Sequence, residues 1–269
     1  MKPIQHIQTA EFSVEHRSCG VCRNQDALNI DFSYAYQPIV DIETGIVFAH
    51  EALVRGPKGE GALSVLEQVN EDNRYRFDQA CRVKAIETAA RLDMHSKLSI
   101  NFMPNAIYRP ELCIRTTLEA AKAHHFPVER IIFETIEGER VNDGKWLAEI
   151  LREYQRIGFL TAIDDFGAGF AGLNLLADFQ PDIIKLDMDL IRNVDQRPAR
   201  QAIVRGVVRI AEELGITIIA EGIETVGEFD CLKEMGVRLI QGYLLSKPLF
   251  EACLPSGILQ WPVAMRAPT

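Results

Sequence analysis

The chain of 269 residues is 47% hydrophobic and 25% charged, the proportions of a globular protein large enough to bury a core without disulfides. A formal net charge of -9 excludes a general binder of nucleic-acid polymers, which carries a basic face. It leaves room for a phosphorylated ligand held by metal ions and a few local cations. No apolar run reaches membrane-spanning length, and the N-terminus lacks the apolar core of a secretion signal. The expectation is a cytoplasmic protein with no membrane partner, and the scattered cysteines fit reduced thiols there.

Residues 1–33 show no periodicity and read as an N-terminal extension of a domain spanning 34–255, with 256–269 as a tail. The extension holds Cys19-Gly-Val-Cys22 with His16 three residues upstream, which reads as half a zinc site, as a redox pair or as neither. Structural zinc needs four ligands, and His6 is the residue available to complete the set.

From Tyr34 the pattern is regular. Strands are predicted over Tyr34–Val40 and Ile46–Val54, joined by the turn Asp41-Ile-Glu-Thr-Gly45, so these two run antiparallel. Helices follow over Gly61–Asn70 and Phe77–Met94, then a strand over Lys97–Phe102 and a helix over Glu111–His124. Strand and helix then alternate. The strands are Arg130–Thr135, Leu160–Asp164, Asp182–Asp187, Ile216–Glu221 and Val237–Gln241. The helices are Gly144–Ile157, about Gly172–Phe179, Pro198–Leu214 and Val226–Met235.

Short apolar strands alternating with helices point to an α/β fold, a TIM-type (β/α)8 barrel modified by an antiparallel early strand. An open doubly wound sheet is the alternative, but no Gly-rich phosphate fingerprint follows the first strand.

Barrel chemistry sits at the carboxyl ends of the strands. Read in order, those ends carry Glu51 and Arg55, Asn101, Glu134 with Glu137 beyond, Asp164-Asp165, Lys185 and Asp187, Glu221, and Gln241. Two adjacent carboxylates repel unless a cation or a shared proton compensates them. Glu51, Asn101, Glu134, Asp164, Asp165 and Glu221 offer hard oxygens suited to Mg²⁺ or Mn²⁺. Six donors exceed what one protein-bound Mg²⁺ uses, so two ions bridged by one aspartate, with Asp164 the better candidate, account for them. Such pairs suit in-line displacement at phosphorus. Lys185 would orient or help deprotonate the attacking water, and the Arg55 fork suits a phosphate oxygen. For structure alone, Lys185 would be a buried partner of Asp187 or Glu221.

The ordered motifs Tyr36-Gln37-Pro38-Ile39, Glu51-Ala52-Leu53 with Arg55, Ile100-Asn101-Phe102, Phe133-Glu134-Thr135-Ile136-Glu137, Asp164-Asp165-Phe166-Gly167, Lys185-Leu186-Asp187, Ala220-Glu221-Gly222-Ile223-Glu224 and Gln241-Gly242-Tyr243 resemble those of the EAL-domain phosphodiesterases of cyclic di-GMP. The resemblance spans about residues 34–250 and implies hydrolysis of cyclic di-GMP to linear pGpG with Mg²⁺ or Mn²⁺. It implies that Glu51, Asn101, Glu134, Asp164, Asp165 and Glu221 are metal ligands. Lys185, Glu51, Asp165 and Glu221 would serve catalysis, and Gln37, Leu53, Arg55, Asp187 and Gln241 would touch substrate. By the same resemblance Glu137 fixes the loop after the fifth strand, and the segment around Phe170–Phe179 forms a homodimer surface. Two alternatives stay open: a receptor or scaffold that holds cyclic di-GMP without turnover, and a carboxylate-pair glycosidase, which needs neither Lys185 nor Asn101.

Overall fold

The computed structural model describes residues 28–107, 109–136, 144–168 and 172–255. The Cys19/Cys22 pair with His6 and His16, the loop residue Glu137, Phe170 and the tail after 255 lie outside the described residues.

Strands β1 (Ser33–Asp41) and β2 (Val47–Arg55) form the predicted antiparallel hairpin, pairing Gln37 with Glu51 and Ile39 with Ala49. Its turn is closed by Gly45 N–H on the Asp41 carbonyl at 2.8 Å and by Asp41 Oδ1, which accepts from the backbone of Glu43 and Thr44. Strands β3 (Lys97–Asn101), β4 (Ile131–Ile136), β5 (Leu160–Phe166), β6 (Ile183–Leu186), β7 (Thr217–Ala220) and β8 (Leu239–Ile240) continue from β2 in parallel. β8 then pairs antiparallel with β1, which closes the barrel. A short β9 (Leu249–Phe250), absent from the sequence expectation, adds to β1 beside Ala35 and Tyr36.

The helices are α1 (Leu63–Leu66), α2 (Arg74–Arg91), α3 (Pro110–Cys113), α4 (Arg115–Ala123), α5 (Gly144–Ile157), α6 (Gly172–Asp178), α7 (Met188–Ile191), α8 (Pro198–Leu214) and α9 (Val226–Glu234). Two expectations are corrected. The helix over Gly61–Asn70 shrinks to α1, because Asn70 and Asn73 use their side chains on nearby backbone groups and end the helix in a turn. The helix over Glu111–His124 is two, α3 and α4, which meet at Ile114, where the N–H reaches back to the Pro110 and Leu112 carbonyls. The short α7 after β6 was not anticipated.

Two apolar layers hold the barrel. Outside the strands, Leu98, Ile100, Phe133, Ile184 and Leu186 pack against Ala85 and Ile86 of α2, Leu151 and Tyr154 of α5 and Val204 of α8. Arg82 of α2 is wholly buried there, paired with Asp78 at 2.6 Å, hydrogen-bonded to Tyr154 Oη at 2.8 Å and lying over the Phe133 ring. Inside the barrel, Ile39, Ala49, Ile132, Ala162, Ile183, Ile219 and Leu239 form a separate buried layer. Strand side chains alternate, so the next inward position lies two residues on. Two residues toward the barrel mouth these strands carry Gln37, Glu51, Glu134, Asp164, Lys185, Glu221 and Gln241. One step of the pleat converts an oily floor into a charged ring.

Candidate active site at the barrel mouth

Lys185 sits at the centre of the ring with none of its surface exposed. Its Nζ lies 2.6 Å from Glu221 Oε1, 3.0 Å from Glu134 Oε2, 3.2 Å from Asp164 Oδ1 and 3.4 Å from Glu51 Oε2. Burial alone would strip this ammonium of its proton. The carboxylates of Glu134, Glu221, Glu51 and Asp164 outweigh that and hold its pKa well above the usual lysine value. Of the two structural pairings that the sequence offers Lys185, the fold builds the one with Glu221 and not the one with Asp187, whose carboxylate caps α7, accepting from Asp189 N–H at 2.9 Å.

The pair Asp164-Asp165 occupies a β-bulge. Ile163 of β5 stands beside Ile184 of β6 and Phe166 beside Leu186, so two residues on β5 face the single residue Lys185 on β6. The extra residue, Asp165, takes a φ of 52°, a left-handed conformation that Asp tolerates better than most residues. Its N–H bonds to Asp164 Oδ1 at 2.9 Å. The bulge cancels the alternation that would have sent consecutive side chains to opposite faces. Oxygens of Asp164, Asp165 and Glu221 therefore lie within 4.8 Å of one another, and so do oxygens of Glu51, Glu134 and Asp164. Asp164 belongs to both groups.

Hydrogen bonds fix the remaining donors. Asn101 Nδ2 donates to Glu51 Oε1 at 3.0 Å, and Gln241 Nε2 donates to Glu51 Oε2 at 2.7 Å and to Gln37 Oε1 at 3.2 Å. Ser99 Oγ, one inward step below Asn101, bonds to Glu134 Oε1. Gln241 Oε1 is buried and has no donor.

The ring is short of positive charge, with Lys185 Nζ against the carboxylates of Glu51, Glu134, Asp164 and Glu221. Burial pushes Glu134 up to about 8 and raises Asp164 and Glu221, with only Lys185 and a few hydrogen bonds pulling the other way. Burial opposes the charge on Glu51 too, but Lys185, Gln241 and Asn101 together keep its carboxyl below the usual range. Asp165, about half-buried, is pushed up to about 6 by burial, then by Asp164 and Asp187. These are the signs expected when carboxylates share one site without enough cations.

Above the ring opens a cavity of about 460 Å³, bordered by Gln37, Glu51, Leu53, Asp165, Asp187, Glu221 and Gln241. Arg55 is not among its lining residues; its Nη1 folds back onto the neighbouring Val54 carbonyl at 2.8 Å. Met188, Arg192, Glu224 and Tyr243 also border the cavity, and of these only Glu224 and Tyr243 fall in the motifs above. Met188 and Arg192 come from the unanticipated α7 segment, and no periodic signal marks them. Gly222 has a φ of 66° and lies so close to Met188 that a β-carbon would collide with it. Gly242 packs against the backbone of Ile223 in the same way. These glycines let the loops after β7 and β8 close around Glu221 and Gln241.

Comparison with known proteins agrees with this geometry. A family model described as the EAL domain matches residues 22–248, beginning inside the stretch that the sequence pattern sets apart as an extension. Among curated relatives, the blue light- and temperature-regulated antirepressor BluF of Escherichia coli (strain K12) is 32% identical over 234 residues, 87% of this chain and 57% of BluF. The chain spans from 26% to 57% of the length of the first curated relatives it matches. A standalone versatile EAL protein from Vibrio cholerae O395, solved in its c-di-GMP-bound form, is 56% identical with a TM-score of 0.82, covering 86% of this chain and 97% of that one. BlrP1 of Klebsiella pneumoniae, solved at pH 6 as a manganese/cy-diGMP complex, is 35% identical with a TM-score of 0.79, covering 85% of this chain and 58% of that one. A mixed barrel closed by one reversed strand, an acidic ring at its mouth and a family match over most of its length together make the chain a member of the EAL domain family.

Proposed function

We propose that the chain is a Mg²⁺- or Mn²⁺-dependent phosphodiesterase that opens one phosphodiester of cyclic di-GMP to give linear pGpG. The observation that carries the reading is the shared position of Asp164 between two oxygen triads, Glu51/Glu134/Asp164 and Asp164/Asp165/Glu221. The fit to divalent ions rests on the donor set and its charge. All donors are hard oxygens, and five carboxylates face one ammonium, an excess of four negative charges that two divalent ions cancel. Glu51, Asn101, Glu134, Asp164, Asp165 and Glu221 would hold the ions. When bound, they would supply Lewis-acid activation and charge neutralisation at phosphorus.

The chain's own groups account for the rest. Gln37, Leu53, Asp187 and Gln241 border the cavity and seat the nucleotide, with Gln241 Oε1 an acceptor left for a ligand donor. Lys185 Nζ, within 3.4 Å of Glu51, Glu134, Asp164 and Glu221, would orient the attacking water and offset developing charge. Asp165 borders the cavity, where its carboxylate would take the proton from the attacking water. The water oxygen forms the new bond to phosphorus, the bond from phosphorus to the 3′ oxygen breaks, and that oxygen gains a proton. Arg55 would reach a phosphate only after releasing the Val54 carbonyl. The c-di-GMP-bound and manganese-containing forms of the two similar structures support the ligand and metal assignments.

The receptor reading keeps one specific support, the relative named as an antirepressor. Purified protein incubated with cyclic di-GMP and Mg²⁺ or Mn²⁺, followed by chromatography for pGpG, separates the two. Turnover abolished in Glu51→Ala is expected; tight binding with no product would leave the receptor.

A further inference from the structure

We propose that Glu228, outside every motif of the site, is a positioning residue that fixes the two loops forming one wall of the cavity and thereby sets ligand affinity. The proposal rests on the functional reading above for its ligand. Glu228 lies in the first turn of α9 and is 3% exposed. Its Oε2 accepts from Glu224 N–H at 3.0 Å and Thr225 N–H at 3.1 Å, while Thr225 Oγ1 accepts from Glu228 N–H at 3.2 Å, a capping box. A capping box uses one side of the carboxylate. Here the other side is also engaged: Oε1 accepts from Asn193 N–H at 2.8 Å, 35 residues away in sequence.

The partners give this link its consequence. Asn193 follows Arg192, and Glu224 lies three residues after Glu221, so one carboxylate joins the loop after β6 to the loop after β7. Arg192 and Glu224 themselves meet at 3.3 Å and both border the cavity. The loops touch again where Gly222 backs onto Met188, and Gly227 packs on Asp195, where an added β-carbon would sit 2.7 Å from Oδ2. Asn193 has a φ of 55°, a left-handed conformation that Asn adopts more readily than most residues. Among the described residues no cation lies within 4.0 Å of Glu228, so its charge is met by three backbone N–H groups. Cutting the Asn193 bond frees the loop carrying Met188 and Arg192 while α9 keeps its cap.

Glu228→Gln makes that cut. Its single carbonyl oxygen satisfies the two donors on the capping side, and its amide then faces Asn193 N–H donor to donor. The expected result is a KM for cyclic di-GMP raised about fivefold to tenfold with kcat within about twofold, the net weight of one ordinary hydrogen bond spent on ligand affinity. Amide hydrogen exchange should quicken over 187–193 and stay at the parent's rate over 226–234. A KM and exchange pattern equal to the parent's would overturn the proposal. So would faster exchange through the whole chain with KM unchanged, since that marks a role in stability alone. Should the parent neither cleave nor bind cyclic di-GMP, the functional reading fails, and exchange decides the positioning: a rise confined to 187–193 upholds it and no rise sinks it.

Discussion

Lys185 stands opposite the bulge that holds Asp164, with 3.2 Å between Nζ and Oδ1, and that pairing makes Asp164 the hinge of the whole acidic ring. The residue touches the ammonium and belongs to both oxygen triads. Asp165 belongs to one triad and faces the open cavity.

This difference separates the two aspartates experimentally. Asp164→Asn should remove Mn²⁺ binding at both positions and lower kcat by about 10³ or more, whereas Asp165→Asn should spare one ion and cost about 10²–10³. Calorimetric titration with Mn²⁺ counts the ions. A parent-like stoichiometry in Asp164→Asn would remove its bridging role.

Lys185 is the resident cation of the ring, so its loss is expected to show first in stability. Lys185→Met leaves the carboxylates uncompensated, a cost of about 3–5 kcal/mol by analogy with other broken buried pairs. In chelator the thermal midpoint should fall by roughly 10 °C. Mn²⁺ should restore far more of it than it adds to the parent, while turnover stays at least about a hundredfold down. An unchanged midpoint in chelator would show that the carboxylates adapt by taking up protons instead.

His50 ties β2 to the C-terminal segment and makes stability depend on pH. Its Nε2 accepts from Leu254 N–H at 3.1 Å and its Nδ1 meets Ser96 Oγ at 2.7 Å, an arrangement that needs the neutral ring. Burial lowers its pKa from 6.5 to about 4. Between those values the unfolded chain binds the proton and the folded chain does not, so stability is complete above pH 6.5 and falls as the pH drops toward 4. The loss is about 3 kcal/mol at most. Urea unfolding at pH 7 and pH 4.5 should show it in the parent and much less of it in His50→Gln. Equal losses in both proteins would assign the acid sensitivity elsewhere.

Much of this architecture was legible in the residues. Apolar runs of strand length separated by helical periods gave the barrel, and the short Gly45 turn gave the reversed strand. Polar residues two positions beyond the apolar floor gave the ring. The bulge was less plain, because an Asp-Asp-Phe-Gly run is equally good turn chemistry; only the register against β6 shows that both carboxylates share one face. Arg55 was read by residue type as a phosphate fork, yet its guanidinium is held by the adjacent carbonyl, a local competition that spacing does not reveal. Ser99 went unnoticed although it lies on the inward phase of β3, where counting back from Asn101 finds it. Glu228 carried a readable signal too, since Thr225-x-x-Glu228 is a capping-box pattern. Its second bond, to Asn193, depends on how two distant loops meet.

The apolar layer from Ile39 to Leu239 closes the barrel beneath the ring. Those side chains plug the interior beneath the ring, so among the described residues the cavity at the mouth is the side from which ions, water and solute meet Lys185 and its carboxylates. Traffic is therefore last in, first out. On the functional reading, a nucleotide lying across the mouth corks whatever cations sit below it, and they leave only after it does. Metal exchange in the loaded protein then runs at the pace of nucleotide release.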